Sequence, residues 1–194
     1  GNNQMSQAWL QENPKVFELE NPLGDQEAPE LLAFKLSATF DNSSNRPVIQ
    51  INGTAYDPAS QVDGVYLRLN RPSGGILDKW VKDRANKETL EFSNQIPLTT
   101  EFQSGTYEVG FLRLNDVAEN TVRFVKADIA DLGEEFSTEL NVYFPGEEEV
   151  SKGQTKVVAS GKSDFVFGAN ESDDVIEAGE GNDEIYTGSG DDDV

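Results

Sequence analysis

Carboxylates, glycines and apolar residues recur with a period of nine through the end of this chain. Ala178-Gly179-Glu180-Gly181-Asn182-Asp183-Glu184-Ile185-Tyr186 forms one unit, and Thr187-Gly188-Ser189-Gly190-Asp191-Asp192-Asp193-Val194 forms most of the next. One step earlier lies Ala169-Asn170-Glu171-Ser172-Asp173-Asp174-Val175-Ile176-Glu177, with Asn170 and Ser172 where glycines would stand. Asp164-x-Val166 precedes Asp174-x-Ile176 by ten residues, so Gly168 reads as an insertion. The sixth place of the period is therefore Asp164, Asp174, Asp183 and Asp192. The second and fourth places of the two regular units are Gly179, Gly181, Gly188 and Gly190, and the eighth place is always apolar: Val166, Ile176, Ile185 and Val194.

These residue types define a chemistry. Glycine tolerates positive φ, so a turn built on it can aim backbone carbonyls inward. A carboxylate beside those carbonyls gives an all-oxygen donor set of the kind that Ca²⁺ takes. Zn²⁺ would call for cysteine or histidine, and the chain has neither. Mg²⁺ seldom sits in a cage made only of protein. One turn supplies part of a coordination shell, so an ion needs two stacked turns, and the eighth-place side chains are the apolar column that would hold the stack together. Charge agrees with this reading. The chain carries 36 acids against 15 bases, a net −21, and residues 159–194 hold eleven acids and one lysine. Such repulsion opposes a compact state until counter-ions bind.

The two regular units resemble the Gly/Asp-rich calcium-binding nonapeptide of RTX proteins. That resemblance implies a parallel β-roll with calcium held between turns two repeats apart. It pairs Asp164 with Asp183 and Asp174 with Asp192, alongside carbonyls of Gly179, Gly181, Gly188 and Gly190. It further implies type I secretion, an extracellular or bacterial cell-surface location, and folding on calcium outside the cell.

The elements that must carry these turns precede them. Residues 1–29 read as a linker, with a short amphipathic helix over 6–11, an extended run over 16–20, and Pro22, Gly24 and Pro29 as punctuation. From Glu30 the pattern alternates with period two: Leu32, Phe34, Leu36, Ala38 and Phe40 predict a half-buried strand. Further strands are predicted at Ile49, Ile51 and Ala55 (with Gly53 as a bulge or close approach), at Val65, Leu67 and Leu69, and over 76–81, 89–96, 106–114, 121–127 and 136–144. Phe34, Leu36, Ile51, Leu67, Tyr107, Val109 and Val142 are the expected core, with Trp80 in it or at its rim. The fold class is all-β: an Ig-like antiparallel β-sandwich over 30–144, a hinge over 145–158, and the truncated start of the roll over 159–194.

Asp25-x-x-Ala28-Pro29, Asn52-Gly53-Thr54-Ala55-x-Asp57, Gly105-Thr106-Tyr107 and Asp116-x-Ala118-x-Asn120 resemble landmarks of bacterial Ig-like modules, which are strung along large surface adhesins and other exported proteins. Asp57, Asp63, Asp116 and Asn120 fall at strand ends. We read them first as turn caps, with a shared loop calcium as the alternative.

Composition also excludes. Nucleic acid and anionic membrane both demand Lys/Arg clusters that an acidic chain lacks. No run approaches the ~20 apolar residues of a membrane span. Without cysteine there are no disulfides or thiolate sites, and without histidine no catalytic triad of the common kind. No phosphate-binding glycine loop occurs, since Gly179-x-Gly181 opens a repeat and not a helix. The expectation is a non-enzymatic piece of a longer protein, binding calcium and presenting a surface. Calcium is the expected partner, with glycan or peptide on a host or neighbouring cell, and contacts between molecules at the open end of the roll, as further candidates. The alternative parent is an exported RTX enzyme or toxin with this chain as an accessory region.

Overall fold

The computed structural model describes residues 24–44, 46–99, 103–145, 149–151, 154–169 and 171–194. The expected helix at 6–11 and extended run at 16–20 lie outside them. Eight strands build a sandwich: β1 (Glu30–Asp41), β2 (Arg46–Tyr56), β3 (Val62–Asn70), β4 (Ile76–Lys82), β5 (Thr89–Pro97), β6 (Gly105–Asp116), β7 (Thr121–Phe124) and β8 (Glu139–Tyr143). One sheet has the order β1-β2-β5; the facing sheet contains β4-β3-β6-β8, with β7 also on β6. All of the expected core residues are buried between the two sheets.

Local expectations at Leu32, over 121–127 and at Trp80 are corrected, and the alternatives at Gly53 are resolved. Leu31 is buried and Leu32 exposed, because β1 carries an extra residue between Leu31 and Ala33 opposite Ala55 and Thr54. A bulge of this kind reverses which side chains face inward. Gly53 is itself no bulge but a close approach: a Cβ there would collide with the ring of Phe92 and lie 2.5 Å from the Ala33 carbonyl. The strand expected over 121–127 stops at Phe124, and the helix α1 (Lys126–Ala130) follows, burying Ile129. The Asp128 carboxylate accepts the Val125 N–H at 2.8 Å and starts that helix. Trp80 is 44% exposed, on the outer face of its sheet and not in the core.

The segment expected as a hinge holds structure. It contributes β9 (Glu149–Ser151) and β10 (Gln154–Val158), and the roll continues with β11 (Phe165–Phe167), β12 (Asp173–Glu177) and β13 (Glu184–Tyr186). The rungs alternate between two sides. On one side β10 pairs parallel with β12; on the other β11 pairs parallel with β13. The second side is continuous with the sandwich, since β11 also pairs parallel with β8, with Phe165 opposite Val142 and Val166 opposite Tyr143. The last strand of the sandwich is thus the first rung of the roll. Alternation along a strand sends successive side chains to opposite faces. Val142 accordingly fills the sandwich core, while Tyr143 packs on the roll's apolar column of Val157, Val166 and Ile176. Phe144, Phe167 and Tyr186 stack in sequence at 6.0 and 5.1 Å between ring centres, and Tyr186 shares a hydrogen bond with Thr39 of β1 at 3.2 Å.

Candidate calcium sites

Short parallel strands place the sixth-place aspartates at the corners of the roll, one turn above another. The Asp164 N–H donates to Asp183 Oδ1 at 3.0 Å, and the Asp174 N–H donates to Asp192 Oδ1 at 3.0 Å. The structure therefore brings together both expected pairs. Asp164 and Asp174 are each 1% exposed; Asp183 and Asp192 are half-buried. Backbone bonds lock the register: Glu184 N–H to the Asp164 carbonyl and Asp193 N–H to the Asp174 carbonyl, both at 2.8 Å.

The glycines behave as their positions demand. Gly179, Gly181, Gly188 and Gly190 have φ of +93°, +130°, +88° and +148°, where other residues are strained. Space is equally restrictive. A Cβ on Gly179 would collide with the Ser160 carbonyl, one on Gly181 with the Lys162 carbonyl, and one on Gly190 with the Ser172 carbonyl. The turn 179–183 thus lies on the turn 160–164, and the turn 188–192 lies on the turn ending at Asp174. Each stacked pair gathers carboxylates and main-chain carbonyls, hard oxygen donors throughout, against a backbone that glycine lets approach. That arrangement fits Ca²⁺.

The first turn was not legible as a donor. Ser160 and Lys162 occupy the second and fourth places without being glycines, and the signal that locates them is their distance of four and two residues before Asp164. Asp164 in turn accepts the Ser160 N–H at 2.7 Å and its hydroxyl at 2.9 Å. Glu171 adopts a φ of +62° without the aid of glycine, and its N–H donates to Ser189 Oγ at 3.1 Å. A further rung was missed altogether. Thr155 stands nine residues before Asp164 and Val157 nine before Val166, in phase with the repeat. Thr155 sits opposite Asp174 in the sheet and donates its hydroxyl to that carboxylate, where the neighbouring rungs carry acids.

Ion pairs fasten the first turn to the sandwich. Lys162 reaches Glu139 of β8 at 2.9 Å, and Lys126 of α1 reaches Glu139 at 3.0 Å and Glu108 at 2.5 Å. The Lys162 ammonium and then that of Lys126 hold the Glu139 carboxyl below its usual range. Asn141 donates to the Ser163 carbonyl at 3.3 Å beside them.

Residues 168–194, three periods of nine, match the family described as "RTX calcium-binding nonapeptide repeat (4 copies)". The tail carries RTX repeats. Calcium is their ion, and the chain contains a calcium-binding module of the RTX kind. The RTX match begins at Gly168, yet the stack it describes extends back through Asp164 to β10, because those rungs keep the register without the glycines. No curated protein matches the chain.

The other four candidates divide. Asp57, Asp116 and Asn120 meet at one pole of the sandwich. Asp63 lines the same groove as Asp116, and Asn115 Nδ2 donates to its carboxylate at 3.5 Å. Asp57 accepts the N–H groups of Ala59 and Ser60 at 2.9 and 3.0 Å, and Asp116 accepts the Asn120 N–H at 2.7 Å, so both cap turns.

Proposed function

We propose that this chain is a structural and ligand-presenting module of an exported RTX adhesin. In this reading its tail stays unfolded where calcium is scarce and locks outside the cell on binding Ca²⁺, the sandwich is an Ig-like spacer, and the chain performs no catalysis. The observation that carries it is the pairing of buried Asp164 and Asp174 with Asp183 and Asp192 across stacked turns that have few apolar anchors. A divalent ion binding only the stacked form stabilises it by mass action. An extracellular location suits this coupling, since calcium is plentiful there and scarce inside the cell. Among the described residues no helix is long and apolar enough to cross a membrane.

The test is a calcium titration of the chelated chain, followed by circular dichroism and by amide exchange over residues 154–194. Ca²⁺ should order the tail; Mg²⁺ should not; Asp183→Ala and Asp192→Ala should each raise the calcium needed. Equal protection in chelator, or equal ordering by Mg²⁺, would refute the calcium lock.

A second reading draws on Trp80. Its exposed indole meets Tyr66 edge-on at 5.1 Å and lies under the Arg113 guanidinium at 5.3 Å. Rings held in this way stack on sugars, and glycan recognition is the ligand-presenting role it would serve. Hits on a glycan array that are lost in Trp80→Ala support it; an array without hits returns the sandwich to a spacer.

A further inference from the structure

The pole of the sandwich where β1 begins, at the other end of β1 from Thr39 and the roll, holds a second group of acids. Asp25 lies just before β1, Asp57 just after β2 and Asp116 at the end of β6. One carboxylate oxygen from each lies within 4.8 Å of the other two. Asp57 and Asp116 are each 2% exposed. Turn capping explains the bonds that these two make to backbone N–H groups. It does not explain Asp25. Asp25 Oδ1 accepts the Glu27 N–H at 3.0 Å, but its Oδ2 is shut off from solvent and has no hydrogen-bond partner. The ion pairs of the described residues, at Arg68, Lys126, Lys156 and Lys162, lie elsewhere.

A buried charge needs a partner, and here two buried carboxylates stand beside a third that is half-buried with one oxygen shut off from water. We propose that Asp25, Asp57 and Asp116 bind a calcium ion, separate from those of the roll. Ca²⁺ holds its oxygens at about 2.3–2.6 Å, so oxygens across one ion stand up to about 4.6–5.2 Å apart, which the three carboxylates match. Mg²⁺, at about 2.0–2.1 Å, needs a tighter cage. Asn120 helps to hold the three carboxylates in place. Asn120 Nδ2 donates to the carbonyls of Asp25 and Glu27 at 3.2 and 3.1 Å and to Asp116 Oδ2 at 2.8 Å. The ion supplies the partner that Asp25 Oδ2 lacks and neutralises the cluster. It thereby fastens residues 24–29 to the turns after β2 and β6 and fixes the direction from which the chain runs into β1.

The experiment uses the whole chain and reads the two calcium regions separately. Amide exchange at residues 25–29 and 57–60 should slow on adding Ca²⁺ and should do so equally in a chain carrying Asp183→Ala and Asp192→Ala. In that background Tb³⁺ alone should give luminescence sensitised by Trp80, which lines the same groove as Asp116. Asp25→Asn and Asp57→Asn retain the oxygens that accept backbone N–H groups while removing charge. Each should abolish the protection and the luminescence, lower the calcium count by one ion per chain, and leave the response of the roll unchanged. In chelator both variants should be more heat-stable than the parent, and in calcium less. No calcium effect at 25–29, the same effect from Mg²⁺, or asparagine variants that bind as the parent does would each overturn the proposal. A roll indifferent to calcium beside a pole that responds would refute the calcium lock of the tail and support this site.

Discussion

The sandwich and the roll are both β-structure, yet they are held by opposite means. The sandwich buries whole aromatic and aliphatic side chains from two sheets, with Phe34, Ile51, Leu67, Tyr107 and Leu112 almost entirely removed from water. The column inside the roll consists of Val157, Val166 and Ile176, with Tyr143, Ala159 and Ile185 only partly covered, and Val194 lies exposed. Each fully buried side chain contributes about 1.5–3 kcal/mol, while each ordered backbone residue costs about 1–2 kcal/mol. Side-chain burial is plentiful across the sandwich and scarce in the roll beyond β11, whose Phe167 is buried in the sandwich core. The repeat has oxygen donors where the sandwich has apolar volume, and in the function proposed above the bound ion makes up that difference.

Removing calcium is the largest perturbation this comparison offers. In chelator, exchange protection should vanish over residues 159–194 and over β10 as well, while β1 to β6 keep theirs. Heating should then show one calcium-independent transition for the sandwich and a second that moves with calcium concentration. A single transition shifting as a whole would mean that the two regions fold as one unit. The converse test breaks the sandwich. Phe34→Ala should cost about 3–5 kcal/mol, with the same penalty in chelator and in calcium, when the calcium-independent transition is followed in urea.

How far this contrast could be read in the residues depended on which force dominates. Period-two alternation revealed the eight strands because a half-buried strand must alternate, and it went astray at Leu32, where one bulged residue inverts the phase. Helix α1 escaped notice because five residues are too few to display a helical period. In the tail, glycine and aspartate marked the last two repeats plainly. Rungs that use Thr155, Ser160 and Lys162 did not stand out, because a carbonyl donor leaves no mark on the side chain. Two features were beyond the reach of spacing alone. The continuity of β8 with β11 is a long-range pairing that made 145–158 look like a hinge, and the meeting of Asp25 with Asp57 and Asp116 depends on where three distant segments end.

Neighbouring residues on β8 give the sharpest division between the two regions. Val142 faces one core and Tyr143 the other. Val142→Ala should lower the stability of the sandwich by about 2 kcal/mol in chelator and calcium alike. Tyr143→Ala should leave the sandwich transition within about 0.5 kcal/mol of the parent, the ordinary range for sites outside a core. It should nevertheless raise the calcium midpoint of the tail several-fold, because it removes the floor on which Val166 stacks. If Tyr143→Ala lowers the sandwich transition as much as Val142→Ala does, the two cores are one.

The smallest effect expected lies at the joint, where Lys162 of the first turn bridges to Glu139 of β8. The carboxyl of Glu139 is held below its usual value of 4.5 by Lys162 first and Lys126 second. A carboxylate depressed in the folded state adds stability that is fully present above its unfolded pKa and fades as pH falls through the folded one. The pair is partly solvated, so Glu139→Gln should cost no more than about 1 kcal/mol at neutral pH. The difference between parent and variant should stay level from pH 8 to about pH 5 and shrink below about pH 4.5. Salt should erode it, since exposed pairs are screened. Measuring the two proteins at saturating calcium isolates this contribution from the acid-driven loss of the ion, which affects both equally. If the difference grew on acidification, Glu139 would be repelled by its surroundings and not paired, and the electrostatic tie between sandwich and roll would have to lie elsewhere.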